Sequence, residues 1–185
     1  MVIFDSNFVL TFLCEAKKAP IDPVTKQPLT YYNERVAHLV DCLKKEKQTI
    51  GIPTPVLSEI GIQSDRATPE LVSELASYKW FEFLSFDTIS AIECALMART
   101  GFQQGNKKYD GNDGAVWQKL KIDRQIFAIA KAYSAQRIYT TDTDLLKLGS
   151  VHEVECVRIF DLPVPDSAKQ MSLDMAQDEP DQKEL

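Results

Sequence analysis

Short apolar runs alternate along this chain with segments of helical periodicity, and few folds accommodate that alternation. Val2-Ile3-Phe4, Thr49 to Ile52, Trp80 to Phe86, Arg137 to Thr140 and Glu155 to Phe160 read as strands. The first is wholly apolar and ends at an acid, as expected of a strand buried in a parallel sheet. Between the strands, Phe8 to Leu13 begins a helix, and Val36, Leu39, Val40 and Leu43 recur at helical spacing, so Tyr31 to Lys47 is predicted to be an amphipathic helix. Thr54-Pro55 and Thr68-Pro69 each pair an N-cap residue with a proline at the first helical position. Asp87 caps a further helix with the stripe Ile89, Ile92 and Leu96, ending near Gly101. A long helix runs from about Ala115 to Ala135, with Trp117, Leu120, Phe127 and Ala130 on one side, and Thr143 to Leu148 forms a short one. Strands alternating with helices predict an α/β three-layer sandwich around a mainly parallel central sheet of about five strands.

The 185 residues suffice for one domain with a sizeable core, and 44% hydrophobic with 26% charged residues fits a globular chain. No run approaches the roughly 18 apolar residues of a membrane span, and Met1 to Leu10 has no basic region, so no membrane association and no signal peptide are expected. Cys14, Cys42, Cys94 and Cys156 lie far apart, with only His38 and His152 as imidazole partners, which speaks against a zinc site or a disulfide framework. Reduced, isolated cysteines agree with a cytoplasmic location. The net charge of −6 excludes a strongly basic nucleic-acid binder. Six acids against two lysines place −4 of it in residues 163–185, which also carry three prolines and no apolar periodicity. The folded domain is therefore assigned to 1–162, and 163–185 is expected to be an acidic, disordered tail.

Ligands of open parallel sheets sit beyond the carboxyl ends of the strands, so acids there take priority. Asp5 follows the first strand and Asp142 follows Ile138-Tyr139-Thr140-Thr141, which places both at one edge of the sheet; helix capping is the plainer role for either. Asp123 lies three residues after Leu120 and four before Phe127, on the face its helix buries. A lone carboxylate there costs several kcal/mol unless a cation compensates it, and a metal ion is such a cation. Glu59 sits in the apolar segment Pro55-Val56-Leu57-Ser58-Glu59-Ile60, where a solvated glutamate favoured by the helix dipole is the simpler reading.

Four segments together resemble the signatures of PIN-domain nucleases: Asp5-Ser6-Asn7 before an apolar helix; Ile52-Pro53-Thr54-Pro55-Val56-Leu57-Ser58-Glu59; Ile122-Asp123 with Ile126, Ala128 and Ala130; and Thr141-Asp142-Thr143-Asp144-Leu145. The best-known of these nucleases that the chain is similar to are the VapC-type toxins of toxin-antitoxin pairs, and the resemblance covers roughly Met1 to Phe160. The resemblance implies a PIN-like fold and a metal-dependent endoribonuclease whose catalytic quartet is Asp5, Glu59, Asp123 and Asp142. Asp144 joins these four as a metal ligand, and Asn7 and Thr141 support them by hydrogen bonding. It also implies RNA as substrate, an antitoxin as protein partner and a homodimer. Oxygen-only ligands suit Mg²⁺ or Mn²⁺. Clustered carboxylates without metal repel one another, so at least one should hold its proton above its ordinary pKa.

Two long segments depart from compact toxins. Ala16 to Thr30 is proline-rich and reads as a surface loop placed to serve as a lid; Gly101 to Gly114 reads as loop. Lys17, Lys18, Lys107 and Lys108 nearby, with Lys119, Lys121 and Arg124 beside Asp123, offer charge to a phosphate backbone, against the plainer reading of a solvated surface. Haloacid-dehalogenase-like phosphatases and receiver domains also place an aspartate after the first strand. The former need a second acid where Asn7 stands, and the latter a late strand-end lysine that Thr140-Thr141-Asp142 does not supply. The rival of a different class is a PIN-like nucleic-acid-binding or scaffold protein that keeps the acids but cuts little or nothing.

Overall fold

The computed structural model describes residues 1–13, 18–22, 25–103, 117–152 and 154–169. In chain order the elements are β1 (Val2–Phe4), α1 (Ser6–Phe12), α2 (Tyr32–Lys45), β2 (Ile50–Pro53), α3 (Thr54–Gln63), α4 (Thr68–Ser77), β3 (Phe81–Leu84), α5 (Thr88–Gln103), α6 (Trp117–Ala132), β4 (Arg137–Thr140), α7 (Thr143–His152) and β5 (Glu155–Arg158). All five strands pair in parallel in the order β3-β2-β1-β4-β5, so the predicted sandwich has an all-parallel centre. Val2 stands opposite Ile50 on one side and Arg137 on the other, which puts every strand's carboxyl end on one edge. The chain winds outward from β1 in both directions, so the order reverses between β1 and β4. A crevice opens at such a reversal, and Asp5 and Thr141 stand at its two lips.

The central strands are apolar because both faces are covered: Val2, Ile3, Phe4, Ile50, Ile52 and Ile138 are all buried. Phe4 packs its ring against Phe8 of α1 and Tyr139 of β4, with centroids 5.3 and 5.6 Å away, tying α1 to the strand pair that carries the crevice. The α2 periodicity is realised, with Val36, Val40 and Leu43 buried. Phe127 and Ala130 are buried on α6; Trp117 and Leu120 lie outside the residues whose side chains are described, as do residues 115–116 at the expected helix start.

The stripe expected to bury α5 points the other way. Ile89, Ile92 and Leu96 are 60%, 56% and 52% exposed, while Ser90 and Met97 are buried. α5 packs against α6 through a mixed polar and apolar face, and an amphipathic reading assigned the richer stripe to the core. Other boundaries move slightly. Thr54 and Thr68 are first helical residues rather than caps, the caps being Pro53 and Ala67, because each proline lies at the second position. α7 runs on to His152. α5 continues to Gln103, so the loop read from Gly101 starts later, and 104–114 lie outside the described residues. At the other end, Pro165 and Ala168 are buried, and Arg35 donates to the carbonyl of Leu162, so 163–169 pack on the domain; 170–185 lie outside the described residues.

α7 lies close over β5. A Cβ at Gly149 would stand 2.6 Å from Cys156 Sγ and 2.8 Å from the Val154 carbonyl oxygen, and the latter is backbone that cannot step aside. Alanine is worth up to about 1 kcal/mol over glycine within a helix, yet overpacking of this kind costs about 1–3 kcal/mol. Gly149→Ala is accordingly expected to lower stability in urea unfolding by about 1–2 kcal/mol. An unchanged or raised midpoint would show that α7 sits more loosely on β5.

Candidate active site at the carboxyl edge of the sheet

Asp5 stands where β1 ends and α1 begins, and its placement follows from both. Its Oδ1 accepts the Phe8 backbone N–H at 3.0 Å as the N-cap of α1. Its Oδ2 faces across the crevice, where the Thr140 hydroxyl donates at 2.5 Å and the Thr141 backbone N–H at 3.1 Å. The carboxylate thus crosslinks the ends of β1 and β4. It is only 3% exposed.

That burial pushes the Asp5 carboxyl from 3.8 up to about 6. The hydrogen bonds from Thr140, Phe8 and Thr141 pull downward but do not offset it, and repulsion from Glu59 adds a smaller upward push. The expected upward shift is present, with desolvation rather than like-charge crowding as its main cause. The electrostatic link also brings Glu59 of α3 within range of Asp5. Glu59 itself is exposed and accepts Gln63 Nε2 at 3.0 Å.

Around Asp5 the supporting residues interlock. Asn7 Nδ2 donates to Thr141 Oγ1 at 2.6 Å, so the first turn of α1 grips the far lip of the crevice. Thr140 Oγ1, while donating to Asp5, accepts the Asp142 N–H at 2.9 Å. Sequence reading placed Thr141 beside the acids but passed over Thr140. A hydroxyl as the last residue of an apolar strand, facing a neighbouring strand that ends in an acid, was the available signal. Asp142 caps α7, its Oδ1 accepting the Asp144 N–H at 2.8 Å. Asp144 pairs with Lys147 at 3.3 Å. Capping is thus realised for both Asp5 and Asp142.

Asp123 is 4% exposed, on the buried face of α6 as its spacing predicts. Its side chain has other interactions, but Oδ2 is buried and accepts no hydrogen bond. Arg124, grouped by sequence with a solvated basic surface, is also 4% exposed, so α6 carries an acid and a cation side by side into the interior. Lys121 is exposed; Lys17, Lys107 and Lys108 lie outside the described residues, as does the side chain of Lys119.

Among the described residues no three His, Cys, Asp or Glu side chains lie close enough to share one ion in this arrangement. The donor chemistry nevertheless fits a hard cation. Every candidate is a carboxylate, Asp5 is desolvated enough to bind its proton tightly, and the buried Asp123 Oδ2 is an acceptor without a hydrogen.

The raised pKa predicts a pH dependence of metal-free stability. The folded state holds the Asp5 proton up to about pH 6 and the unfolded chain only to about 3.8, so stability falls as pH rises between them and levels above. The shift corresponds to about 3 kcal/mol. In chelator, the stability difference between parent and Asp5→Asn should therefore move in favour of the variant from pH 4 to pH 7. A constant difference would refute the buried ionisation.

No protein-family model matches the chain, and comparison with curated proteins finds no match. Solved structures do share the fold. One is VapBC2 from Rickettsia felis bound to a DNA fragment from their promoter, with 15% identity and a TM-score of 0.52 over 85% of this chain and 98% of that chain. Another is DNA-bound VapBC from Salmonella typhimurium, with 14% identity and a TM-score of 0.50 over 86% of this chain and 99% of that chain. This α/β sandwich is PIN-like in fold.

Proposed function

We propose, starting from this PIN-like fold, that the chain is a metal-dependent endoribonuclease and the toxin of a toxin-antitoxin pair. The observation that carries the reading is Asp5: a buried, proton-retaining carboxylate at the topological switch point, held by Thr140 and Thr141 and in electrostatic range of Glu59. Asp5, Glu59, Asp123 and Asp142, with Asp144, would hold Mg²⁺ or Mn²⁺. When bound, such an ion polarises phosphate and lowers the pKa of a water, the chemistry of phosphodiester hydrolysis.

The chain's own contribution is orientation and desolvation. Thr140 and the Phe8 N–H fix the plane of the Asp5 carboxylate. The Asn7–Thr141 bond braces the crevice rim, and α6 presents Asp123 from a dry interior. Glu59, exposed and long, has the rotamer freedom to close the set.

RNA is the substrate on this reading. An antitoxin partner is supported by the two solved neighbours, both VapBC assemblies on DNA. A homodimer is supported by the exposed Ile89, Ile92 and Leu96 stripe of α5. No described helix is long and apolar enough to cross a membrane; a cytoplasmic location belongs to this reading through the isolated cysteines. The rival reading, a PIN-like nucleic-acid-binding or scaffold protein with little cleavage, draws on one observation: the described acids are not gathered in threes.

Labelled single-stranded RNA, structured RNA and DNA, incubated with Mg²⁺ or Mn²⁺, separate the two. Cleavage of RNA that falls at least about a hundredfold in both Asp5→Asn and Asp123→Asn is expected. Folded, metal-loaded parent that cuts nothing, or cuts equally well as both variants, would favour the scaffold. Melting gives an independent readout: added Mn²⁺ should raise the Tm of the parent but not of Asp123→Asn. An equal rise in both would remove Asp123 from the metal set.

A further inference from the structure

The described part of the proline-rich insertion is a braced wall rather than a free lid. Ile21 and Pro28 form an antiparallel bridge, Leu29 N–H donates to the Pro20 carbonyl at 2.8 Å and Asp22 N–H to the Gln27 carbonyl at 2.9 Å. Lys26 turns the corner with φ 59°, and buried Leu29 anchors the returning strand in the core. A proline at the wall fixes backbone that would otherwise lose entropy on binding.

Between this wall and α1 lies an open cavity of about 400 Å³. Lys18, Pro20 and Ile21 line one side; Asn7, Thr11 and Thr141 line the other. Its volume is within the range of about 300–1,000 Å³ typical of small-ligand sites. It also adjoins Asp5, because Thr141 lines the cavity and gives its backbone N–H to that carboxylate. The three chemistries a nucleotide needs are all present. Pro20 and Ile21 offer an apolar face for a base. The Asn7 amide, with a second N–H and a carbonyl oxygen beyond its bond to Thr141, offers polar groups for a base edge. Lys18 offers a cation for a phosphate.

We propose that this cavity is a nucleotide subsite: it holds one unpaired nucleotide of the RNA beside the scissile phosphate, and the insertion sets which base is accepted there. The inference rests on the nuclease reading and deepens it. Unstacked bases of single-stranded RNA are read in this way, by an apolar face and edge hydrogen bonds. The insertion is thus a specificity element, and Lys18 and Ile21 are binding residues outside the acidic set.

The test uses Lys18→Gln and Ile21→Trp, the latter filling the cavity from an exposed position. A randomised single-stranded RNA is cut with Mn²⁺ and the product ends are sequenced; binding of one preferred oligonucleotide is measured separately by fluorescence anisotropy in chelator. Parent ends should show a base preference at one position flanking the cut. Both variants should lose it, with KM and the chelator Kd raised roughly tenfold, the size of one base contact, and kcat little changed. Removing that one base from the oligonucleotide should weaken the parent by a similar factor and Ile21→Trp hardly further. Unaltered base preference and Kd in both variants, with cleavage still dependent on Asp5, would overturn the subsite alone. Parent protein that neither cuts nor binds RNA would overturn the nuclease reading and the subsite with it.

Discussion

The carboxylate of Asp5 joins two strands that the chain places 135 residues apart, and the crevice exists as a defined site because of that joint. Oδ1 starts α1; Oδ2 gathers the hydroxyl of Thr140 and the N–H of Thr141 at the end of β4. Thr140 then passes the constraint to Asp142, and Asn7 returns it from α1 to Thr141. Low dielectric strengthens the buried bonds from Phe8 and Thr140 to Asp5 and raises the cost of leaving either unmet. The same burial keeps the Asp5 proton in place to about pH 6, so the group that orders the site also resists its own ionisation.

α6 buries a second carboxylate. It packs against α3, α5 and α7 and carries Asp123 and Arg124 into the interior together. Burying an ion costs several kcal/mol even after relaxation. Glu59 is exposed, and the half-buried Asp142 caps α7.

Much of this was legible in the linear chain. Val2-Ile3-Phe4-Asp5 announces a doubly covered strand with an acid at its end, since a strand buried on both faces has no reason to alternate. Asp123 declared itself by standing in register with apolar neighbours on α6. The α5 stripe misled for a related reason. Periodicity shows that a helix has two unlike faces but not which neighbour will cover which, and α6 accepted the face with Ser90 and Met97. Thr140 was passed over because a threonine closing a strand has high β propensity whatever its hydroxyl does. Only the parallel register of Phe4 with Tyr139 brings that hydroxyl to Asp5.

By itself the sequence determined the fold class, the order of its elements and which carboxylates lie at strand ends or on buried helix faces. Those properties follow from local periodicity and the cost of burying charge. Strand order, the reversal between β1 and β4, and the convergence of Asp5 with Thr140 and Thr141 were decided only by the tertiary structure. So was the turning of the 18–22 segment into a wall beside them. Contacts between residues more than a hundred positions apart depend on how separate elements pack, and no local pattern encodes that pairing.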